Sequence, residues 1–461
     1  MSVISTKINS LKKGLQKNRL SSNIYTKLFY FKTNCIERKV VNKLKKIENY
    51  SEKDIFNLQN KKLLNILKYA YYNTEYYKNL FDDNNININC SQDLKKIPFL
   101  SKEIIKNNPS ALISKKFSKK YLSKKNTGGS TGEPLVFYSN THSGLIDYGH
   151  HTYLCSLMGH KKGDVILACG GFSIPQELRD NNVFWKKMRK GNSFGDYIFS
   201  VLYLNDANIS IYIDKLIKLK PNILRGYPSF FDSIANYILK NEIELNFKIK
   251  GIILTAEMCS KNQQENIEKA FSSMVYFEYG HTEISLYCYT KDNTYTYQSS
   301  PIYGYIEVLN DDDTETKIGE IGNIVATGFI NTGMPFIRYR TGDLAKIVSR
   351  NGGVVQLKPI YGRLQDYIIS KNNVKTYLTS LIFGQHFQAF SNIEKWQIIQ
   401  DKANKIEILI IKGANYSQND ELEIYDKIRK VVALEITFKY VNSIPITKGG
   451  KHLFLKQNIK I

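Results

Sequence analysis

The sequence predicts an α/β protein made of one large unit and one small one. From about residue 120, short apolar runs alternate with helical stretches, as in Val165 to Ala168, Ile223 to Leu224, Ile252 to Leu254 and Val275 to Phe277. Continuous apolar runs of this length, spaced by helices, are the signature of strands buried on both faces. From about 300 the runs are strand-like and separated by turns. After Gly362 a similar pattern restarts on a smaller scale. A chain of 461 residues, at roughly 150 residues per domain, has room for two unequal domains or three. The expected division is a large domain over 1–362, with a helical N-terminal region at about 35–120 and a β-rich lobe, and a small α/β domain over 363–461.

Each element has its own warrant. Leu58, Leu63, Leu64, Ile66, Leu67 and Ala70 recur at helical spacing, and Tyr71, Tyr72, Tyr76 and Tyr77 add bulk, so 35–80 reads as helical. Residues 81–95 are polar and Asn-rich and read as a loop. Pro98, Leu100, Ser101 and Glu103 mark a turn into another helix. The lobe is read from Ile302 to Leu309, Ile324 to Thr327, Ile337 to Arg340 and Val354 to Leu357, with the turn Asn310-Asp311-Asp312-Asp313 between the first two. The small unit is read from Ile368-Ile369, Trp396 to Ile399, Ile406 to Ile411, a helix around Glu421 to Val432, and Ile436 to Val441. No internal repeat and no low-complexity tract stands out.

Composition excludes some function classes. Hydrophobic residues are 42% and aromatics 12%, enough for a sizeable core, so a mainly disordered chain is not expected. No apolar run approaches the ~18–20 residues that span a bilayer. No apolar leader with a small-residue cleavage site opens the chain, and the six cysteines form no CxxC pair, so a reducing cytoplasm is expected. The charge is +23, from 65 Lys+Arg against 42 Asp+Glu. The excess is nearly all lysine in a chain also rich in Asn, Ile and Tyr, which reads as a compositional habit spread over the surface, and no nucleic-acid partner is expected. Residues 1–50 are denser: twelve Lys/Arg against Glu37 and Glu48 give +10. Lys12, Lys13, Lys17, Lys43, Lys45 and Lys46 form either a solvated helical face or a face for an anionic membrane or glycan-assembly partner.

The strongest local signal is Asn126-Thr127-Gly128-Gly129-Ser130-Thr131-Gly132-Glu133-Pro134. Glycines allow tight turns that aim successive amides at one anion, and the hydroxyls add donors, so such a loop suits phosphate. A plain surface turn is the other reading of that composition. It is neither a Walker A loop, which requires a lysine and Ser/Thr after its last glycine, nor the dinucleotide fingerprint.

Thr127 to Pro134, followed by Tyr138, resembles the phosphate loop of the adenylate-forming enzymes, the superfamily of acyl-CoA synthetases, luciferases and peptide-synthetase adenylation domains. Its form is most similar to the phenylacetate-CoA ligase branch, and within it to capsule-biosynthesis proteins of the coenzyme F390 synthetase-like kind. The resemblance runs nearly the length of the chain. Leu64 to Tyr77, Ile97-Pro98 and Ser101-Lys102 are similar to the helical N-terminal region. Then follow Gly226-Tyr227-Pro228-Ser229, a substrate-side turn; Thr255-Ala256-Glu257, beside the adenine; Tyr279-Gly280-His281-Thr282-Glu283; Tyr303-Gly304-Tyr305-Ile306-Glu307; Tyr339-Arg340-Thr341-Gly342-Asp343; the hinge Gly362-Arg363-Leu364-Gln365-Asp366; and Pro445 to Lys451.

The resemblance implies a reaction in which a carboxylate is joined to the α-phosphate of ATP, pyrophosphate leaves, and a thiol, amine or alcohol attacks the acyl-adenylate. That chemistry asks for a cradle for pyrophosphate, a divalent cation and positive charge beside the α-phosphate. By resemblance, Thr127, Gly128, Gly129, Ser130, Thr131 and Gly132 form the cradle. Thr282 and Glu283 lie near the α-phosphate, with Glu283 a magnesium ligand, a hard oxygen donor suited to that ion. Ala256, Glu257, Tyr279 and Gly280 line the adenine side. Asp343 binds the ribose hydroxyls, which a carboxylate accepts in pairs, and Arg363 reaches ribose or phosphate. Lys451, after Gly449 and Gly450, is the adenylation lysine, with Lys448 its rival.

Two departures stand out. Leu135 follows Pro134 where relatives often carry a lysine, and Gln365 stands where many carry the hinge aspartate or lysine. The resemblance implies that the small domain is mobile about that hinge. The acid pocket is expected from Phe172, Tyr227, Pro228 and Ser229, with Phe230 and Phe231 nearby, while His281 either meets the substrate carboxylate or meets nothing. Cys259 and Cys288 lack the paired cysteines or histidines of a structural zinc site. The cofactors implied are ATP and magnesium, with CoA as one acceptor. The function expected is adenylation of a small carboxylic acid and its transfer to a thiol or amine in capsular or O-antigen polysaccharide synthesis. An aryl-CoA ligase and a non-catalytic nucleotide-binding scaffold are the alternatives.

Overall fold

The computed structural model describes residues 35–126, 135–188, 194–361, 367–371, 375–378, 381, 387, 389–445 and 453–459. The glycine-rich loop Thr127 to Pro134, the hinge residues Arg363 and Gln365, and Lys448 and Lys451 lie outside them.

A large α/β domain is organised on one mixed sheet of twelve strands. Five of them are parallel neighbours, in the spatial order Val275–Gly280, Gly251–Thr255, Ile223–Gly226, Ile166–Gly170 and Tyr197–Ser200. The pleat divides their side chains between two cores. Leu224, Ile252, Leu254, Val275 and Phe277 face helices Ile209–Leu219, Pro228–Lys240 and Lys261–Phe271. Ile223 and Ile253 face helix Thr141–Leu157 and the helix over 35–47, where they meet Val40, Leu44, Tyr153, Leu154 and Met158. Burial on both faces explains why these strands read as uninterrupted apolar runs.

The strand-like segments beyond 300 continue the same sheet. Gly304–Leu309, Ile321–Gly328, Tyr339–Asn351 and Val354–Tyr361 pair antiparallel in sequence order, and the last joins Tyr297–Ser299. The N-terminal region is helical at 35–47, Glu52–Asn73 and Glu75–Asp83. Ser51 and Thr74 cap the last two, their side-chain oxygens accepting the backbone N–H groups of Asp54 and Tyr77, each the third helical residue. The expected loop at 81–95 is in part helical: the second of these helices runs to Asp83, and Ser91–Lys96 forms a short 3₁₀ turn closed by Asp93, whose carboxylate accepts from the backbone N–H groups of Asn89 and Cys90.

The small unit has a four-stranded sheet ordered Glu435–Tyr440, Lys405–Lys412, Ile393–Lys402, Leu455–Gln457, covered by helix Gln418–Val431. Its core of Trp396, Ile398, Ile406, Ile408, Ile410, Ile424 and Ile428 is separate from those of the large domain. Lys395 Nζ donates to Ser233 Oγ at 3.2 Å and so ties this sheet to helix Pro228–Lys240.

Among the described residues no helix is long and apolar enough to cross a membrane.

Candidate active site

The carboxyl ends of the parallel strands bring several sequence-predicted residues together, at the place where open α/β sheets bind ligands. Strand Ile223–Gly226 ends at a glycine with φ of +153°, where a Cβ would lie 2.2 Å from Cys169 Sγ. The chain turns there, Tyr227 N–H donates to Cys169 Sγ at 3.1 Å, and Pro228 opens helix Pro228–Lys240 at a position that needs no N–H. Ser229 N–H, one of the free donors of that helix start, is taken by Glu257 Oε2 at 3.1 Å. Glu257 follows Ala256, a non-glycine residue at φ +69° just past strand Gly251–Thr255. Thr255-Ala256-Glu257 and Gly226 to Ser229 are therefore one neighbourhood.

Strand Val275–Gly280 delivers the next motif. Tyr279 Oη donates to Asp343 Oδ2 at 2.6 Å, which joins the Tyr279–Glu283 motif to the Tyr339–Asp343 motif. Asp343 N–H in turn donates to Thr341 Oγ1 at 3.1 Å. A second bond repeats the join: Tyr339 Oη donates to Glu283 Oε1 at 2.9 Å. His281 Nδ1 lies 3.4 Å from Glu283 Oε2, and its Nε2 is 3.2 Å from Ser285 Oγ. His281 thus faces a carboxylate of the chain itself. Thr282 is exposed at the top of the turn.

Glu283 is 7% exposed. Burial opposes its charge, but the adjacent His281 and the Tyr339 hydroxyl outweigh burial and hold its pKa at about 2. It is an ionised oxygen donor. Among the described residues it has no lysine or arginine partner, so the donor chemistry fits a hard divalent cation. Burial, and then Asp343, push the Tyr279 hydroxyl well above its ordinary value, so it remains a proton donor to that carboxylate.

Some expectations require correction. Phe230 and Phe231 do not face an acid pocket. Both are buried against Phe199, Tyr212 and Phe271 in the core beneath helix Pro228–Lys240. Phe172 is half-buried just after strand Ile166–Gly170, with Lys186 Nζ 4.1 Å from its ring centre. Cys259 and Cys288 are buried free thiols, both pushed upward by desolvation.

One group was missed. Arg225, Glu278 and His151 form a buried charged cluster directly under these turns. His151 Nδ1 lies 2.9 Å from Glu278 Oε2 and 3.2 Å from Arg225 Nη2, and Arg225 Nη2 donates to Glu278 Oε1. The available signal was a single charged residue closing each of two apolar strand runs, Ile223-Leu224-Arg225 and Val275-Tyr276-Phe277-Glu278.

The chain matches the family model of the CapK C-terminal domain over residues 369–458. It is 28% identical over 417 residues to Protein CapK of Staphylococcus aureus, covering 88% of this chain and 90% of that one. It is 23% identical over 326 residues to the phenylacetate-coenzyme A ligase of Pseudomonas putida, covering 66% and 69%. Among solved structures, a 2-hydroxyisobutyryl-CoA ligase in the postadenylation state with R3-HIB-AMP superposes with a TM-score of 0.65 at 16% identity, over 88% of this chain and 89% of that one. The chain therefore shares the fold of a CoA ligase, and its C-terminal domain matches that of CapK. It has the large mixed-sheet domain and smaller C-terminal α/β domain described above.

Proposed function

We propose that this protein activates a small carboxylic acid as its acyl-adenylate, releases pyrophosphate, and passes the acyl group to a thiol or amine acceptor in the synthesis of a surface polysaccharide, capsular or O-antigen. The observation that carries the adenylation half is the double hydrogen bond between two motifs, Tyr279 to Asp343 and Tyr339 to Glu283, at the carboxyl ends of the parallel strands. The polysaccharide context rests on the resemblance to capsule-biosynthesis proteins and on the similarity to CapK.

In this reading Tyr279 orients Asp343 toward the ribose diol, while Ala256, Glu257 and Gly280 border the adenine. Glu283 would hold magnesium, which would supply charge stabilisation to the phosphates. Tyr339 and His281 fix the Glu283 carboxylate so that no reorganisation is needed as charge develops. Thr282 stands exposed beside the α-phosphate. Thr127 to Gly132 cradle the leaving pyrophosphate, Arg363 reaches the ribose or phosphate, and the small domain turns near Gln365 to bring Lys451 to the carboxylate and α-phosphate. Tyr227, Pro228, Ser229 and Phe172 border the acid. CoA is the thiol considered.

The test is acid-dependent exchange of labelled pyrophosphate into ATP with magnesium, across aryl, amino, hydroxy and uronic acids. Exchange with one class names the acid, and exchange confined to aryl acids with CoA-dependent thioester formation makes the protein an aryl-CoA ligase, in line with its similarity to the phenylacetate enzyme. Lys451→Ala is expected to lower exchange by ~10²-fold while ATP binding is kept, the scale of losing one transition-state donor. Unchanged exchange in that variant removes Lys451 from the reaction.

A further inference from the structure

The proposed reading leaves the acid's own chemistry open, and the buried cluster beneath the site bears on it. Arg225 and Glu278 lie on the sheet face that packs helix Thr141–Leu157. The register makes Arg225 a neighbour of Ile253, and Glu278 a neighbour of Thr255, across the strand between them. Arg225 leads directly into the turn Gly226 to Ser229, and Glu278 into Tyr279-Gly280-His281. The cluster thus lies under the turn Gly226 to Ser229, which borders the acid in that reading, and beside the turn that leads to the nucleotide side.

Its polar groups are unevenly satisfied. Glu278 receives Arg225, His151 and Tyr287 Oη, the last at 3.1 Å. Asp147 receives Tyr303 Oη at 2.7 Å and lies 3.7 Å from His151 Nε2. Arg225 is 9% exposed; among the described residues its hydrogen bonds run through Nη2, and its buried Nε has no hydrogen-bond partner. Phe194 covers the guanidinium, with the Arg225 guanidinium carbon 4.7 Å and the His151 ring 4.5 Å from its ring centre. A buried N–H without an acceptor pays the full desolvation penalty of that group. Buried ion clusters are often replaced by apolar residues at little loss of stability. Packing alone therefore gives no reason for an arginine with an unfilled donor at this point in the cluster.

We propose that Arg225 is a specificity-determining residue of the acid pocket, selecting a carboxylic acid whose body carries a neutral oxygen, a hydroxyl or carbonyl, to fill the Nε donor. Glu278 and His151 are positioning residues that fix the guanidinium. Because Glu278 already neutralises Arg225, the unfilled donor favours a neutral oxygen over a second carboxylate. A hydrocarbon acid would leave the donor unfilled, and sites built to hydrogen-bond a substrate group discriminate strongly against the analogue that lacks it.

This rests on the acyl-adenylate reading of the site, and the experiment separates the two. Calorimetric titration of the full-length protein with matched acids, 3-hydroxybutyrate against butyrate and 4-hydroxyphenylacetate against phenylacetate, measures the preference without turnover. At least one hydroxy acid should bind about tenfold or more tightly than its partner, the scale of a hydrogen bond to a charged group. Arg225→Lys keeps the charge facing Glu278 but lacks Nε, and should bring that ratio to about one without loss of the folded state by circular dichroism. Equal affinity within both pairs, absence of all binding included, overturns the proposal with no variant needed. So does a ratio unchanged in Arg225→Lys. A hydroxy-acid preference without pyrophosphate exchange by any acid leaves the specificity assignment standing and defeats the adenylation reading. Equal exchange with butyrate and 3-hydroxybutyrate, and within the aromatic pair, does the reverse.

Discussion

Glu278 and Glu283 stand on either side of the turn Tyr279-Gly280-His281-Thr282, and both are buried with a histidine and a tyrosine beside them. Glu278 has His151 and Tyr287; Glu283 has His281 and Tyr339. In each case burial opposes ionisation and the neighbours win, so both carboxyls are held below their ordinary range. The difference is the guanidinium. Arg225 pairs with Glu278, whereas among the described residues no arginine or lysine pairs with Glu283. A lowered pKa alone does not separate an anchor from a ligand. The charge balance around it does: one carboxylate is paired with an arginine, and the other has a histidine and a tyrosine beside it and, among the described residues, no arginine or lysine.

The largest effect expected from that contrast is on stability. Glu278→Ala leaves Arg225 buried and unpaired, which should cost about 3–5 kcal/mol, read as a lower denaturant midpoint at unchanged slope. A loss under about 1 kcal/mol would mean that the guanidinium reaches water in the variant and that the pair is no anchor. Glu283→Gln should do the opposite. It keeps the shape, loses the charge, and should lower pyrophosphate exchange by ~10²-fold or more, with a smaller fall in stability at neutral pH than Glu278→Ala. The pH profile sharpens this. The Glu283 pKa is about 2 against an ordinary 4.5, so its contribution to stability is complete above about 4.5 and is lost as pH falls toward 2. Glu283→Gln should flatten stability across that window. An unaltered acid profile with unaltered exchange would erase the distinction between the two carboxylates.

The same contrast explains what the sequence discloses. Glu283 and Asp343 stand out in the sequence because each sits in a short local motif, and the structure brings those motifs together, while the small domain was legible because Trp396, Ile398, Ile408 and Ile410 alternate along two antiparallel strands. The strands beyond 300 were legible as strands, but their hydrogen bonding through Val354–Tyr361 into the central sheet depends on pairing with Tyr297–Ser299, more than fifty positions earlier in the sequence. Arg225 and Glu278 lie two strands apart in space and more than fifty positions apart in sequence, so only the register joins them. Phe230 and Phe231 misled for a local reason. The helix begins at Pro228, and its rotation of about 100° per residue carries both rings into the core beneath it.

The smallest effect concerns the phenol that links the motifs. Tyr279→Phe removes one hydrogen bond to Asp343 and leaves the ring in place. If Tyr279 only braces the fold, the loss appears in stability and ATP affinity is unchanged. If it orients Asp343 toward the ribose, ATP binding should weaken by roughly 2- to 10-fold, the worth of one ordinary hydrogen bond of about 0.5–1.5 kcal/mol. The maximal exchange rate should then move little, because the ribose contact is made equally in the ground and transition states and uniform binding does not raise turnover. Asp343→Asn in the same background decides between these. An oriented carboxylate predicts that the double variant binds ATP no worse than Asp343→Asn alone, since the tyrosine acts through the group already removed. Additive losses would mean that Tyr279 touches the nucleotide by itself, and that the bond to Asp343 is incidental to binding.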